Sequence, residues 1–255
     1  MDLGLDGKSA IVTGAAGGIG SAIAEALAAE GCRLLLADKD AGKIRALADR
    51  LCGRYDDDAF AIAWDGDLTS PQSARRLVER ILAQWARLDI LVNSAGLLHT
   101  EQSCAVSPSR WDQIVQVNLS ATLYCCQAAA PALAESGNGR IISIASVAAE
   151  RGGGAIGSTT YAATKAGVVA LTKGMARELG PKGITVNAIA PGLTETPMTA
   201  DVLASQSETD LLRKFPLGRI ATPQDIAPVA VFLASRCAAY ISGTVVTVDG
   251  GYSTA

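Results

Sequence analysis

The chain has 255 residues, 49% of them hydrophobic and 18% charged, with 22 Lys plus Arg against 25 Asp plus Glu for a formal charge of -3. That much apolar chain at so mild a charge excludes a disordered polypeptide and supports a sizeable core. It also excludes nucleic acid and anionic membrane surfaces as partners, because both require a concentrated basic face. The single histidine, His99, rules out a zinc site built on two or three imidazoles of one chain. The six cysteines show no CxxC spacing and read as reduced, mostly buried thiols, so no metal is expected. No basic-then-apolar leader and no run of about 18 apolar residues is present, so a soluble, cytoplasmic protein that does not enter a membrane is expected.

Short apolar runs alternate with amphipathic stretches along the chain. Ser9–Thr13 predicts a strand and Ile19–Glu30 an Ala-rich helix ended by Gly31. Arg33–Ala37 predicts a second strand and Ala41–Leu51 a second helix. Five more strands are expected at Ala59–Trp64, Ile90–Asn93, Arg140–Ala145, Thr185–Ala190 and Thr244–Val248. Helical stretches at Pro71–Trp85, Pro108–Glu135, Tyr161–Leu179 and Pro223–Ser235 separate them. Strands without polar alternation are buried on both faces, and the βαβα order selects a doubly wound parallel sheet of about seven strands covered by helices on both sides. No linker or repeat divides the chain, so residues 1–255 are expected to form one domain. Trp111 reads as core or interface. Two connections, Glu150–Thr160 and Leu193–Phe215, are too long for simple turns and are the expected substrate loops. In the second, Met198, Leu203, Leu211 and Leu212 are placed to cover an apolar patch as a lid.

Thr13–Gly20 reads TGAAGGIG, directly after the first strand and before the first helix. Glycines there allow a tight turn and a close backbone approach to a pyrophosphate at a helix N-terminus. Gly14, Gly17 and Ile19 are therefore assigned to a dinucleotide. Asp38, 24 residues after Gly14, closes the second strand. A carboxylate there binds ribose hydroxyls and repels a 2′-phosphate, which favours NAD over NADP, although the adjacent Lys39 could tolerate the phosphate. Asp67-Leu68 and Asn93-Ser94-Ala95-Gly96 close two further strands, and suit either an adenine edge and ribose or plain turn chemistry.

Tyr161 and Lys165, four residues apart, share one helix face. An ammonium near a phenol is expected to lower its pKa from about 10, making Tyr161 a general acid/base for an alcohol or carbonyl. Ser146, just past the fifth strand, is placed to donate to the same oxygen. His99 reads either as a hydrogen-bond donor to a substrate hydroxyl or as a bonded loop residue. Glu150 and Arg151 read either as readers of polyol hydroxyls or a carboxylate, or as solvated loop charges.

In this order, TGAAGGIG, NSAG (Asn93–Gly96), Asn118, Ser146, YAATK (Tyr161–Lys165), PG (Pro191-Gly192) and VDGG (Val248–Gly251) resemble the single-domain branch of the short-chain dehydrogenase/reductase family over essentially the whole chain. The resemblance implies a Rossmann-like fold and hydride transfer between a secondary alcohol or ketone and a nicotinamide, with Tyr161 exchanging the substrate proton. It implies that Lys165 holds the nicotinamide ribose and lowers the tyrosine pKa. By the same resemblance Ser146 orients the carbonyl, Asn118 anchors a water chain, and Pro191-Gly192, Thr194 and Thr196 meet the carboxamide. It further implies a homotetramer. Two departures stand out. Ser146 and Tyr161 are 15 positions apart, two more than in most members, which leaves Ser143 and Ser158 as alternative registers. Thr194 stands where a branched aliphatic residue is common. The expected activity is NAD-dependent oxidation of a small polar secondary alcohol such as a polyol, sugar or hydroxy acid. The alternatives are a 3-oxoacyl thioester reductase and a non-catalytic nucleotide-sensing or scaffold protein.

Overall fold

A computed structural model describes residues 2–153, 157–205, 207 and 211–254. Seven parallel strands lie in the order β3-β2-β1-β4-β5-β6-β7: β1 Ser9–Thr13, β2 Arg33–Asp38, β3 Ala61–Asp65, β4 Ile90–Asn93, β5 Arg140–Ile144, β6 Thr185–Pro191 and β7 Val245–Val248. Alternate residues of one strand feed two different cores. Ala10 and Val12 join Leu34, Leu36, Ile90, Val92 and Ile142 on one face. Ile11 joins Leu35, Leu91, Ile141 and Val186 on the other. Both sets are apolar because both faces are covered, which is why the strands show no polar alternation.

The helices begin where the local chemistry starts them. In α2 (Ala41–Tyr55) Asp40 accepts from the Lys43 N–H, and in α3 (Pro71–Trp85) Ser70 accepts from the Ser73 N–H just ahead of a first-turn proline. The following helices are α4 (Pro108–Val115), with Ser107 as its cap, and α5 (Ala121–Glu135). The unbroken helix expected over Pro108–Glu135 is therefore interrupted. Gln116–Ser120 form a π-helical turn carrying the fully buried Asn118. An extra residue in the turn swings that side chain inward, which helical periodicity does not announce.

Short helix α6 (Ala148–Arg151) runs into the first two residues of the expected Glu150–Thr160 loop, and α8 (Ala200–Ala204) falls inside the Leu193–Phe215 connection. They flank α7 (Thr159–Leu179), and α9 (Pro223–Ala234) follows with a Thr222/Asp225 capping box. Trp111 is 40% exposed rather than in the core. Within the Leu193–Phe215 connection, Leu211 and Phe215 pack with Val147, Leu193 and Tyr252, with Leu203 partly buried against them, whereas Met198 is 49% exposed rather than packed over an apolar patch. Among the described residues no helix is long and apolar enough to cross a membrane, and no group of His, Cys, Asp or Glu is arranged to hold a metal.

The chain reverses its direction of travel across the sheet between β3 and β4, so β1 and β4 are neighbours reached from opposite sides. The crevice at their carboxyl ends is where open α/β sheets take ligands.

Candidate active site

A cavity of about 300 Å³ opens at that crevice. Gly14 takes a left-handed φ of 67°, and a Cβ there would lie 2.6 Å from the Ala95 amide nitrogen. A Cβ on Gly20 would overlap the Gly14 carbonyl oxygen. Thr13 holds the facing turn, its Oγ1 accepting from the N–H groups of Ser94 (3.2 Å) and Ala95 (3.3 Å). The helix α1 (Gly18–Ala29) begins at Gly17 with no side-chain cap, and Gly18, Ile19 and Gly20 of its first turn line the cavity. Uncapped first-turn N–H groups beside a glycine cradle fit a phosphate. Gly20→Ala is expected to cost about 1–3 kcal/mol, seen as a lower denaturation midpoint with an unchanged slope.

Asp38 stands on the same wall. Its Oδ2 accepts from the Ala16 N–H at 3.2 Å and its Oδ1 from the Asp40 N–H at 3.1 Å, so the carboxylate is pinned beside the glycine turn. Lys39 and Lys43 also line this end, Lys43 being paired with Asp40 at 3.0 Å. These groups fit the adenosine half of a nicotinamide dinucleotide.

Ser146, Tyr161 and Lys165 line the opposite end, with Ile144 and Ala145 beside them. Ser146 lies beyond β5, and its Oγ accepts from the Ala148 N–H at 3.1 Å, the turn that opens α6. The alternatives to Ser146 lie elsewhere. Ser143 is buried in the sheet against Asn93 (3.3 Å), and Ser158 caps α7 by accepting from the Tyr161 N–H. The long Ser146–Tyr161 spacing thus leaves the two hydroxyls on one cavity.

Lys165 Nζ donates to the Ile144 carbonyl at 2.7 Å and sits 5.9 Å from the Tyr161 ring centroid. The expected lowering of the phenol pKa by this lysine is not what the geometry produces. Burial pushes Tyr161 up to about 12, with the Ser146 side chain acting in the opposite direction. Burial likewise pushes Lys165 down to about 8. Both groups are deprived of water, and desolvation disfavours phenolate and ammonium alike.

Other expected residues are placed differently. Pro191, Thr194 and Thr196 line the cavity, but the Thr194 hydroxyl is turned to the Gly192 carbonyl (3.1 Å) and Thr196 is tied to Thr199. Asn118 lies behind the wall. Its Oδ1 accepts from the Leu97 N–H at 2.7 Å, and its Nδ2 donates to the Leu97 carbonyl at 3.0 Å and to Thr164 at 3.1 Å. Asn93 is buried below the cavity floor, bonded to Cys126 and Ser143. Asp67 and Leu68 are not among the lining residues. The Asp67 carboxylate accepts from the Thr69 N–H at 2.9 Å, a turn contact.

None of the three residues expected to read a polar substrate lines the cavity either. His99 is buried and fully engaged by side chains. Arg151 lies 4.5 Å over the Tyr252 ring and donates to the Tyr252 carbonyl, and Glu150 sits beside it in sequence on α6. Lys43, Leu98 and Thr199 line the cavity and were not foreseen, nor was the hold that Thr13, first residue of TGAAGGIG, has on the facing turn. Only Thr13 had a legible signal, as the strand-end residue in register with Asn93.

Known proteins resemble this chain along its length. A family model described as enoyl-(acyl carrier protein) reductase matches residues 14–253. A D-threitol dehydrogenase of Mycolicibacterium smegmatis is 39% identical, over 99% of this chain and 95% of its own. The 3-oxoacyl-[acyl-carrier-protein] reductase FabG of Escherichia coli is 38% identical over 98% of both chains. Among solved structures, a putative NAD(P)-dependent gluconate 5-dehydrogenase from Beutenbergia cavernae, with NADP bound at low occupancy, superimposes with a TM-score of 0.91 at 36% identity, covering 98% of each chain. Likeness of this extent in sequence and in backbone places the chain in the short-chain dehydrogenase/reductase family of oxidoreductases.

Proposed function

We propose that the protein is an NAD(H)-dependent oxidoreductase interconverting a secondary alcohol and its ketone, with Tyr161 as the proton-transferring group. One observation carries this reading. A glycine turn with a pinned Asp38 at one end of a cavity, and Ser146, Tyr161 and Lys165 at the other, leave space for a dinucleotide between them. A bound nicotinamide supplies the hydride acceptor or donor. The Tyr161 hydroxyl would pass its proton to a ketone oxygen, or, as the phenolate, take the proton of an alcohol, while the Ser146 hydroxyl fixes that oxygen. Lys165 is placed to bind ribose hydroxyls and to carry positive charge next to the phenol. Asn118 supports the wall by holding both backbone groups of Leu97. A homotetramer is part of the same proposal, checked by light scattering.

NAD preference follows from Asp38, whose carboxylate repels a 2′-phosphate. Asp38→Ser is expected to lower the NAD+/NADP+ ratio of kcat/KM about tenfold to hundredfold, given what a close like-charge pair costs. An unchanged ratio would leave Lys39 and Lys43 as the determinants.

The substrate end is lined by Leu98, Gly192 and Met198 beside Ser146 and Tyr161, and among the described lining residues its one charged group is Lys165. An uncharged polyol or sugar fits this wall better than a hydroxy acid, whose carboxylate would meet Lys165 as the one cation among the described residues at that end. A second reading, a 3-oxoacyl thioester reductase, draws on the apolar Leu97, Leu98 and Met198 at the cavity mouth. Nicotinamide absorbance with NAD+ and a panel of polyols and sugars, against NADH and NADPH with 3-oxoacyl thioesters, separates the two. Turnover confined to the thioester arm with NADPH would overturn both the substrate and the cofactor assigned above.

A further inference from the structure

The one histidine of the chain is more than a loop residue. His99 is 4% exposed, and both ring nitrogens are engaged. Nε2 lies 3.3 Å from the Glu101 carboxylate. Nδ1 lies 3.2 Å from the Ser158 hydroxyl and 3.2 Å from the Thr160 hydroxyl, which are themselves 2.8 Å apart. The carboxylate at Nε2 assigns the proton to that nitrogen and leaves Nδ1 as an acceptor. One hydroxyl then donates to Nδ1 and the other to its neighbour, so the buried triangle is closed.

This triangle is the start of the helix that carries Tyr161. Ser158 is the N-cap of α7, and its Oγ accepts from the Tyr161 N–H at 3.4 Å. The backbone is stitched at the same place, the Ser158 N–H donating to the His99 carbonyl at 2.7 Å. The preceding residue, Leu98, packs in one cluster with Tyr161 and lines the cavity. Gly157 closes the other side, where a Cβ would lie 2.6 Å from the Tyr161 ring. One imidazole therefore joins the cavity wall after β4 to the first turn of α7.

We propose that His99, locked by Glu101, is a positioning residue for proton transfer: by holding the Ser158–Thr160 hydroxyl pair it sets where the Tyr161 hydroxyl stands in the cavity. The inference rests on the reading of Tyr161 as the proton-transferring group. His99→Phe keeps a ring but leaves the two hydroxyls without their nitrogen. His99→Asn restores an amide oxygen close to the Nδ1 position.

The expected result is a kcat at least about tenfold lower in His99→Phe, because small misplacement of a reacting group is costly. The KM for NAD+ should stay within about twofold, and His99→Asn should recover most of the lost kcat. A kcat in His99→Phe within about twofold of the parent, or no recovery in His99→Asn, overturns the proposal. Should His99→Phe fail to bind NAD+, Thr160→Val and Glu101→Gln decide: lower kcat at unchanged NAD+ KM in either supports it, and parental kcat in both overturns it. If the parent turns over no tested substrate, the functional reading fails on its own. The positioning is then read from hydrogen exchange at the Tyr161 amide. Faster exchange in His99→Phe, restored in His99→Asn, supports it, and equal exchange in all three overturns it.

Discussion

Tyr161→Phe is expected to lower turnover by about 10²–10⁴-fold, the range that a positioned acid/base contributes. NAD+ affinity should be nearly unchanged, because the glycine turn and Asp38 lie at the other end of the cavity. The pH profile sharpens the test. Burial pushes the Tyr161 phenol up, and alcohol oxidation needs the phenolate, so the rate of oxidation is expected to rise with pH through the neutral and mildly alkaline range. This rising limb should vanish in Tyr161→Phe. Residual activity that keeps the parental slope would show that another group takes the proton.

Lys165→Met is expected to do two opposite things: abolish most turnover and make the nucleotide-free protein more stable at neutral pH. Lys165 is 4% exposed, and its pKa falls from 10.5 to about 8 through burial. A lysine with a folded pKa below its unfolded value destabilises the fold wherever it must be charged, which is below about 8. That cost is lost as pH rises from about 8 through 10.5, so parental stability should climb over this window while the variant's should not. The shift corresponds to roughly 3 kcal/mol at pH 7. Removing the hydrogen bond to the Ile144 carbonyl offsets about 1 kcal/mol of it. Chemical denaturation at pH 7 and pH 10 reads both quantities, and a variant less stable than the parent at pH 7 would refute the account. A buried charge kept at a net cost to the fold is what a group retained for function looks like.

The cysteines are less uniformly buried than expected: Cys32, Cys125 and Cys126 are buried, Cys52 is half-buried, and Cys104 and Cys237 are exposed. Cys125 and Cys126 are buried side by side on α5, and desolvation pushes the Cys126 thiol up to about 12. They are inert packing groups, as free thiols in apolar surroundings are.

Sequence alone determined the parts of this protein whose signals are local. Apolar strand runs, the amphipathic stretches between them and a glycine turn between β1 and α1 depend on residues close to one another in the chain. The parallel sheet, the glycine turn with Asp38 at the end of the second strand and the helical pairing of Tyr161 with Lys165 were legible for that reason. Tertiary structure decided everything that depends on what a side chain meets across the fold. The π-helical turn at Asn118 carries an amide that binds the Leu97 backbone, 21 residues away. His99 left the substrate list because Ser158 and Thr160 reach it from α7. Arg151 left it because Tyr252 lies under its guanidinium. The direction of the Tyr161 shift was also invisible, since spacing places a lysine nearby but says nothing of the water that packing removes from both groups. Desolvation is a property of the assembled core, and here it outweighs the charge that the spacing brought close.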